Sequence, residues 1–278
     1  MKEFLMSLLI NLKRSILSPI FWGCVCLCTA MMIFFVNDAY MFTYYNAPGL
    51  YYFLERVDKS GSIYLLMMIA VFPSVMLFYE DWTSGRFKFV IPRLGCGKYS
   101  FAVSIATGLT AAVVMILSYI VFSLFILIKY PAVPDLDVNA LQADSYGFPN
   151  SGLLYTGHVF GCYLLYFLTR GAMAAFFAVV AVFQSMLITN KHLTAISPLL
   201  IYIIYFCFNI SNILPSVLDP FVLFRNGLKL YLLFGGTQGD VIYSPIAGFY
   251  PMFFCTAFTI VLSLVEVNIL RRKMNKCI

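Results

Sequence analysis

Charged residues are so sparse in this chain that the gaps between them are long enough to cross a lipid bilayer. A helix needs about 20 apolar residues to span a hydrocarbon core of about 30 Å. Helix is the expected form because a backbone in lipid must satisfy its own hydrogen bonds. The charge-free runs predict six spans, at about 16–36, 62–80, 101–128, 168–190, 193–214 and 244–268.

The composition supports a protein whose solvent is lipid. Apolar residues make up 62% of the 278 residues and charged residues only 11%, against about 25% charged in a soluble domain. These values exclude a soluble domain, a disordered chain and a secreted disulfide scaffold. The prediction is an all-α integral membrane protein with one transmembrane domain over 16–278. No alternation typical of a transmembrane barrel is visible.

Two spans have unusual boundaries. The second is short and contains Pro73, which predicts a kink or a tilted neighbour. The apolar stretch Leu153–Thr169 precedes the fourth span and runs into it through Arg170 and Gly171. We interpret this stretch as an extended or broken helix that begins outside the hydrocarbon; a separate seventh span is the alternative.

The distribution of Lys and Arg predicts the orientation. If the amino terminus is cytoplasmic, twelve of the 18 bases fall in inner segments and five in outer loops, and Arg170 is the remaining one. Inner segments carry the excess of bases in membrane proteins. Both termini are therefore expected in the cytoplasm of a multi-pass protein of the plasma (inner) membrane. The net charge of +6 is then a topology signal, and no nucleic-acid partner is expected.

Residues 1–15 precede the first span and have the pattern of an amphipathic helix. Four leucines recur at helical spacing and two bases end the segment: Leu5, Leu8, Leu9, Leu12, Lys13 and Arg14. This pattern is typical of an interfacial helix on the inner leaflet. A cytoplasmic extension of the first span is the alternative.

The chain carries no pattern of an enzyme or a metal site. Cys24, Cys26 and Cys28 lie within a span, and only the first and last share a helical face, without a His or carboxylate beside them. The stretch Arg93–Lys98 shares the Gly-Lys pair of a phosphate-binding loop. It lacks the first glycine of that motif, and Tyr99 follows the lysine in place of Ser or Thr. No catalytic residue, metal or cofactor is therefore predicted in this chain.

Two charges lie in or beside apolar helices. Arg170 opens the fourth span, and Glu266 lies near the inner end of the sixth. An ion within the membrane is costly and often functional. Each is a candidate for the transport path; the alternatives are a packed structural ion for Arg170 and a carboxylate that reaches the interface for Glu266. The predicted topology puts them toward opposite faces, so a direct pair is not expected.

The inner segment 80–98 between the second and third spans is the most informative part of the sequence. It is amphipathic, with acids first and bases later, and it is interrupted by glycines and a proline. Such a segment suits docking to a soluble partner, whereas contact with lipid head groups is the alternative. The candidate docking residues are Glu80, Asp81, Gly85, Arg86, Lys88 and Arg93.

This segment resembles the first cytoplasmic loop in permease subunits of type-2 ATP-binding-cassette exporters. The matching positions are Glu80, Gly85, Pro92, Arg93, Lys98 and Tyr99. The run Asn11–Trp22 is also similar to the opening of that family, in which a basic amphipathic helix leads through Ser-Pro into the first span. The motif covers about thirty residues, and the six-span layout agrees along the whole chain.

The resemblance implies a transmembrane subunit of an ATP-driven exporter. It implies a second permease subunit, the same or a related chain, and two copies of a separate ATPase that binds ATP and Mg. Segment 80–98 would be the coupling helix that docks on the ATPase, and re-entrant helices would lie between the fifth and sixth spans. The alternatives are a stand-alone secondary transporter or channel, and a non-transporting membrane scaffold or immunity protein.

Overall fold

A computed structural model describes residues 2–36, 49–59, 62–133, 152–155, 157–187 and 245–275, together with the single positions 196 and 200. These residues form helices and turns, without a strand among them. The helices are α1 (Lys2–Ile16), α2 (Pro19–Val36), α3 (Leu50–Lys59), α4 (Ile63–Thr83), α5 (Phe87–Leu94), α6 (Cys96–Leu127), α7 (Gly152–Tyr155), α8 (Val159–Leu187) and α9 (Pro245–Asn275).

Among the described residues, five helical segments are long and apolar enough to cross a membrane. They are Pro19–Val36, Ile63–Thr83, Cys96–Leu127, Val159–Leu187 and Met252–Arg272. Each overlaps one of the six predicted spans, so the chain is an all-helical, multi-pass membrane protein over its described residues. The predicted span at 193–214 and the re-entrant segment after it lie outside the described residues, apart from helical positions 196 and 200.

Helix α8, which contains the predicted fourth span, begins at Val159, within the apolar stretch interpreted as an extended or broken helix. The break in the chain lies at Gly157, whose φ of 79° is in the left-handed region that favours glycine. There the backbone N–H groups of Gly157 and His158 donate to the carbonyls of Leu154 and Leu153 at 3.2 and 2.8 Å. The helix then continues through Arg170 and Gly171 without interruption, because its polar side chains find partners inside the bundle.

Helices α6 and α8 form the centre of the bundle. They pack against each other, and each also contacts α4 and α9; α6 further contacts α1 and α2. A close approach between the two is made at Gly171, where an added Cβ would lie 2.7 Å from Ile116 Cδ1 and 3.4 Å from the Ala112 carbonyl oxygen. Small residues permit such an approach between membrane helices. Large rings such as Phe122 and Phe177 fill the buried surface around it.

The segment between the first two spans, which was predicted to be an outer loop, contains helix α3. Its residues Tyr51, Leu54 and Val57 are fully buried. The acids Glu55 and Asp58 are buried on the same helix. The segment therefore packs against the end of the bundle and does not extend into water, because this packing buries its apolar side chains.

Candidate functional site

Segment 80–98 consists of the end of α4, a turn, helix α5 and the start of α6. Glycines with positive φ lie on both sides of α5: Gly85 at 72° and Gly95 at 83°. These are conformations that other L-residues rarely adopt. The N–H of Gly95 donates to the Ile91 carbonyl at 2.7 Å and so closes the last turn of α5. The two glycines thus allow a short helix to turn between two spans.

The buried side of α5 is anchored to the bundle by aromatic stacking. Phe87 and Ile91 are buried. The ring of Phe87 stacks on Trp82 with centroids 4.5 Å apart, and Trp82 in turn stacks on Phe78 at 6.0 Å. Aromatic pairs of this kind stabilise beyond their buried area. The stack therefore joins α5 to α4.

The other side of α5 is exposed and combines an apolar ring with positive charge. Lys88, Phe89, Pro92 and Arg93 are all exposed, and Phe89 is 77% exposed. Glu80, at the end of α4, is exposed as well. Of the six candidate docking residues, Glu80, Arg86, Lys88 and Arg93 are exposed and therefore accessible to a partner.

Asp81 and Arg86 take part in a charge cluster within the chain. Arg14 of α1 donates from Nη1 to both carboxylate oxygens of Asp81, at 2.8 and 2.9 Å. Arg86 lies 3.4 Å from the same carboxylate. Arg14 was not among the predicted site residues. The cluster ties α1 to the start of segment 80–98, so the two inner elements form one structural unit.

A cavity of about 420 Å³ lies at this end of the bundle, between α1, α4, α5 and α6. Arg14, Arg86 and Arg93 line its polar part, and Phe78 and Val103 belong to its apolar part. This volume is within the range of sites for small ligands.

Arg170, one of the two predicted membrane ions, belongs to a buried cluster near the other end of the bundle. It forms an ion pair with Asp58 of α3. Tyr166 and Tyr119 donate to the Asp58 carboxylate at 2.8 and 3.4 Å. The guanidinium carbon of Arg170 lies 4.9 Å from the centre of the Tyr166 ring, a cation–π contact. This arrangement favours a packed structural ion.

Glu266, the second predicted ion, is fully buried between α9 and α6. Its Oε2 accepts hydrogen bonds from Ser100 at 2.8 Å and Ser104 at 2.7 Å. This burial does not favour the alternative of a carboxylate that reaches the interface. Its partners were missed because isolated serines carry no pattern that distinguishes them from helix filler.

The arrangement offers charged side chains, some paired within the chain and some exposed. Over the part of the chain that the structure describes, no group of three or more His, Cys, Asp or Glu side chains is placed to hold a metal ion. The chain matches no protein-family model, and comparisons with curated proteins and with solved structures give no significant match.

Proposed function

We propose that this chain is the transmembrane subunit of an ATP-driven exporter and that it docks a separate ATPase through segment 80–98. The observation that carries the proposal is the exposed side of α5, which presents Phe89 together with Lys88 and Arg93. The opposite side of this helix is buried against the bundle. The proposal includes six spans, both termini in the cytosol and the plasma (inner) membrane as its location. It also draws on the sequence resemblance to type-2 exporter permeases.

A docking element must transmit movement, and the contacts of α5 suit that task. The stack of Trp82 on Phe87 couples α5 to α4, and the bidentate Arg14–Asp81 pair couples α4 to α1. Packed elements have discrete arrangements and do not deform continuously. A partner that moves α5 on binding ATP would therefore shift the inner ends of several helices together.

The chemistry of the exposed side indicates the partner surface. Lys88 and Arg93 would face acidic residues, and Phe89 would fill an apolar pocket. Charge complementarity guides association, and buried aromatic anchors supply most of the affinity in such interfaces. Two ATPase copies, each with ATP and Mg, would engage two permease subunits. The ATP chemistry belongs to the partner.

The test is a reconstitution of this chain with an ATP-binding-cassette ATPase encoded in a neighbouring reading frame. Phe89→Ala should lower the affinity of the ATPase for the permease by about 30-fold, as for a buried aromatic anchor. Phe160→Ala is the matched control, since Phe160 is 80% exposed at the start of α8. Phe160 lies at the end of the bundle opposite to α5. Nearby Tyr163 donates a hydrogen bond to the carbonyl of Ala132, which follows the end of α6, whereas α5 precedes the start of α6. Equal affinity of the ATPase for the wild-type chain, Phe89→Ala and Phe160→Ala would contradict the proposal.

A stand-alone secondary transporter is the second candidate, and the buried Glu266 favours it. Whereas the ion pair of Arg170 with Asp58 suits a structural role, Glu266 is fully buried between the membrane helices α9 and α6. Ionisable residues there often mark ion pathways. Transport by the chain alone in ATP-free proteoliposomes, driven by an ion gradient, would support this candidate over the exporter.

A further inference from the structure

The cavity at the inner end of the bundle has two chemically different parts. Its polar part contains Arg14, Arg86 and Arg93, and its apolar part includes Met6, Ile10 and Phe78. The cavity is bounded by α1 on one side and by segment 80–98 on the other. A ligand that matches both parts must be an amphiphile.

The polar part has positive charge available for an anion. Asp81 neutralises Arg14, whose Nη1 donates to both carboxylate oxygens. Arg86 is held less closely by Asp81, at 3.4 Å. Arg93 has no hydrogen bond or ion pair with any other residue that the structure describes. Besides Asp81, the cavity is lined by one other acid, Glu3. Glu3 lies about 16 Å from Arg14 along α1, at a rise of 1.5 Å per residue. Arginine presents a planar fork that fits phosphate oxygens.

The apolar part is continuous with an exposed apolar surface of α1. Met6 and Ile10 line the cavity and are also 63% and 52% exposed. Leu5 and Leu9 extend the same exposed side. The polar Ser7 and Asn11 also line the cavity and are half-buried. A helix with its apolar side outward has the arrangement of a helix that contacts lipid.

We propose that this cavity is a binding site for an anionic membrane lipid. The phosphate of the lipid contacts Arg93 and Arg86, and the first carbons of its acyl chains lie along Met6 and Ile10. A free phosphate ion would use only the arginines, whereas the apolar wall opening toward the membrane favours a lipid. This inference does not depend on an ATPase partner, because it concerns the chain and the bilayer alone.

The experiment measures lipid binding to the purified full chain in detergent by native mass spectrometry. Phosphatidylglycerol and phosphatidylcholine with the same acyl chains are titrated, and inorganic phosphate is added as a competitor. Arg93→Gln removes the unpaired base of the cavity. Lys88→Gln is the matched control, since Lys88 is an exposed base of the same helix outside the cavity lining. Ser7→Trp fills the cavity while every charge remains.

The wild-type chain should bind phosphatidylglycerol at least about tenfold more tightly than phosphatidylcholine. Arg93→Gln should weaken phosphatidylglycerol binding about fivefold, the contribution of one base near a lipid phosphate. Ser7→Trp should weaken it too, and Lys88→Gln should leave it unchanged. Equal losses in Arg93→Gln and Lys88→Gln would mean diffuse surface charge and overturn the proposal. So would equal binding of the two lipids, or displacement of the lipid by stoichiometric inorganic phosphate.

Discussion

Arg170 of α8 and Asp58 of α3 form a buried ion pair between residues 112 positions apart in the sequence. Asp58 also accepts hydrogen bonds from Tyr166 and Tyr119. The pair therefore fastens a helix outside the spans to the two central helices. A charge buried in this way is tolerated because an opposite charge lies against it.

Removal of one member of this pair should destabilise the chain strongly. Arg170→Met or Asp58→Leu leaves an uncompensated buried charge, which costs about 3–5 kcal/mol. The double variant should lose much less than the sum of the two single variants. Thermal unfolding of all three in detergent measures this coupling. Arg271→Met, at an exposed base of α9, is the control; strictly additive losses would show that the two side chains do not interact.

The close approach of α6 and α8 predicts different outcomes for two glycines. Gly171→Ala places a Cβ 2.7 Å from Ile116, and the adjustment should cost about 1–3 kcal/mol. Gly108→Ala meets its nearest atom at 3.5 Å, an ordinary contact. That variant should be neutral or more stable by up to about 1 kcal/mol, because alanine favours helix.

Thermal unfolding in detergent of the two alanine variants checks this expectation. The double variant Gly171→Ala with Ile116→Val should recover part of the loss, since a shorter side chain removes the clashing Cδ1 atom. Equal stability of both glycine variants would contradict the described packing of α6 on α8.

The hydrogen bonds of Glu266 predict a coupling between this residue and Ser104. Ser104→Ala removes a donor from a buried carboxyl group and should cost about 1–3 kcal/mol. In a Glu266→Leu background the same change should cost clearly less. Thr256→Ala on α9 is the control, since its hydroxyl bonds to the Met252 carbonyl of its own helix. Identical losses from Ser104→Ala in both backgrounds would exclude the contact.

The turn before α5 predicts a defect in coupling. Gly85 has a φ of 72°, so Gly85→Ala strains the turn by about 1 kcal/mol and should shift α5. Gly97→Ala is the matched control: Gly97 lies in helical backbone of α6 with open space around it. In the reconstituted complex, the first variant should hydrolyse ATP with reduced transport and the second should behave as wild type. Normal transport per ATP in Gly85→Ala would count against the coupling role of this segment.

The spans were predictable because each depends on a local property, a run of residues without charge. The helix over 1–15 and the interruption at Gly85 are local signals as well, and the structure contains both. The apolar stretch before Arg170 was also a local signal, and α8 runs from Val159 through Arg170. Within the bundle, Asp58 and Tyr166 satisfy the charge of Arg170.

The partners of the charged residues could not be predicted, because they depend on how distant helices pack. Arg14 and Asp81 are 67 positions apart, and nothing in either neighbourhood indicates the other. Ser100 and Ser104 lie one helical turn apart on α6 and meet Glu266 more than 160 positions later. Helix α3 was missed because its acids and its position between spans are also typical of a loop.

The docking of an ATPase on α5 is tested most directly by photo-crosslinking. A benzophenone amino acid replaces Phe89 in one protein and Phe160 in another, since both side chains are similarly exposed at opposite ends of the bundle. Irradiation of membranes that contain the proposed ATP-binding-cassette ATPase partner should join the ATPase to position 89 and leave position 160 without that product. Crosslinks to lipid alone at position 89, or equal ATPase crosslinking at both positions, would contradict the proposed function.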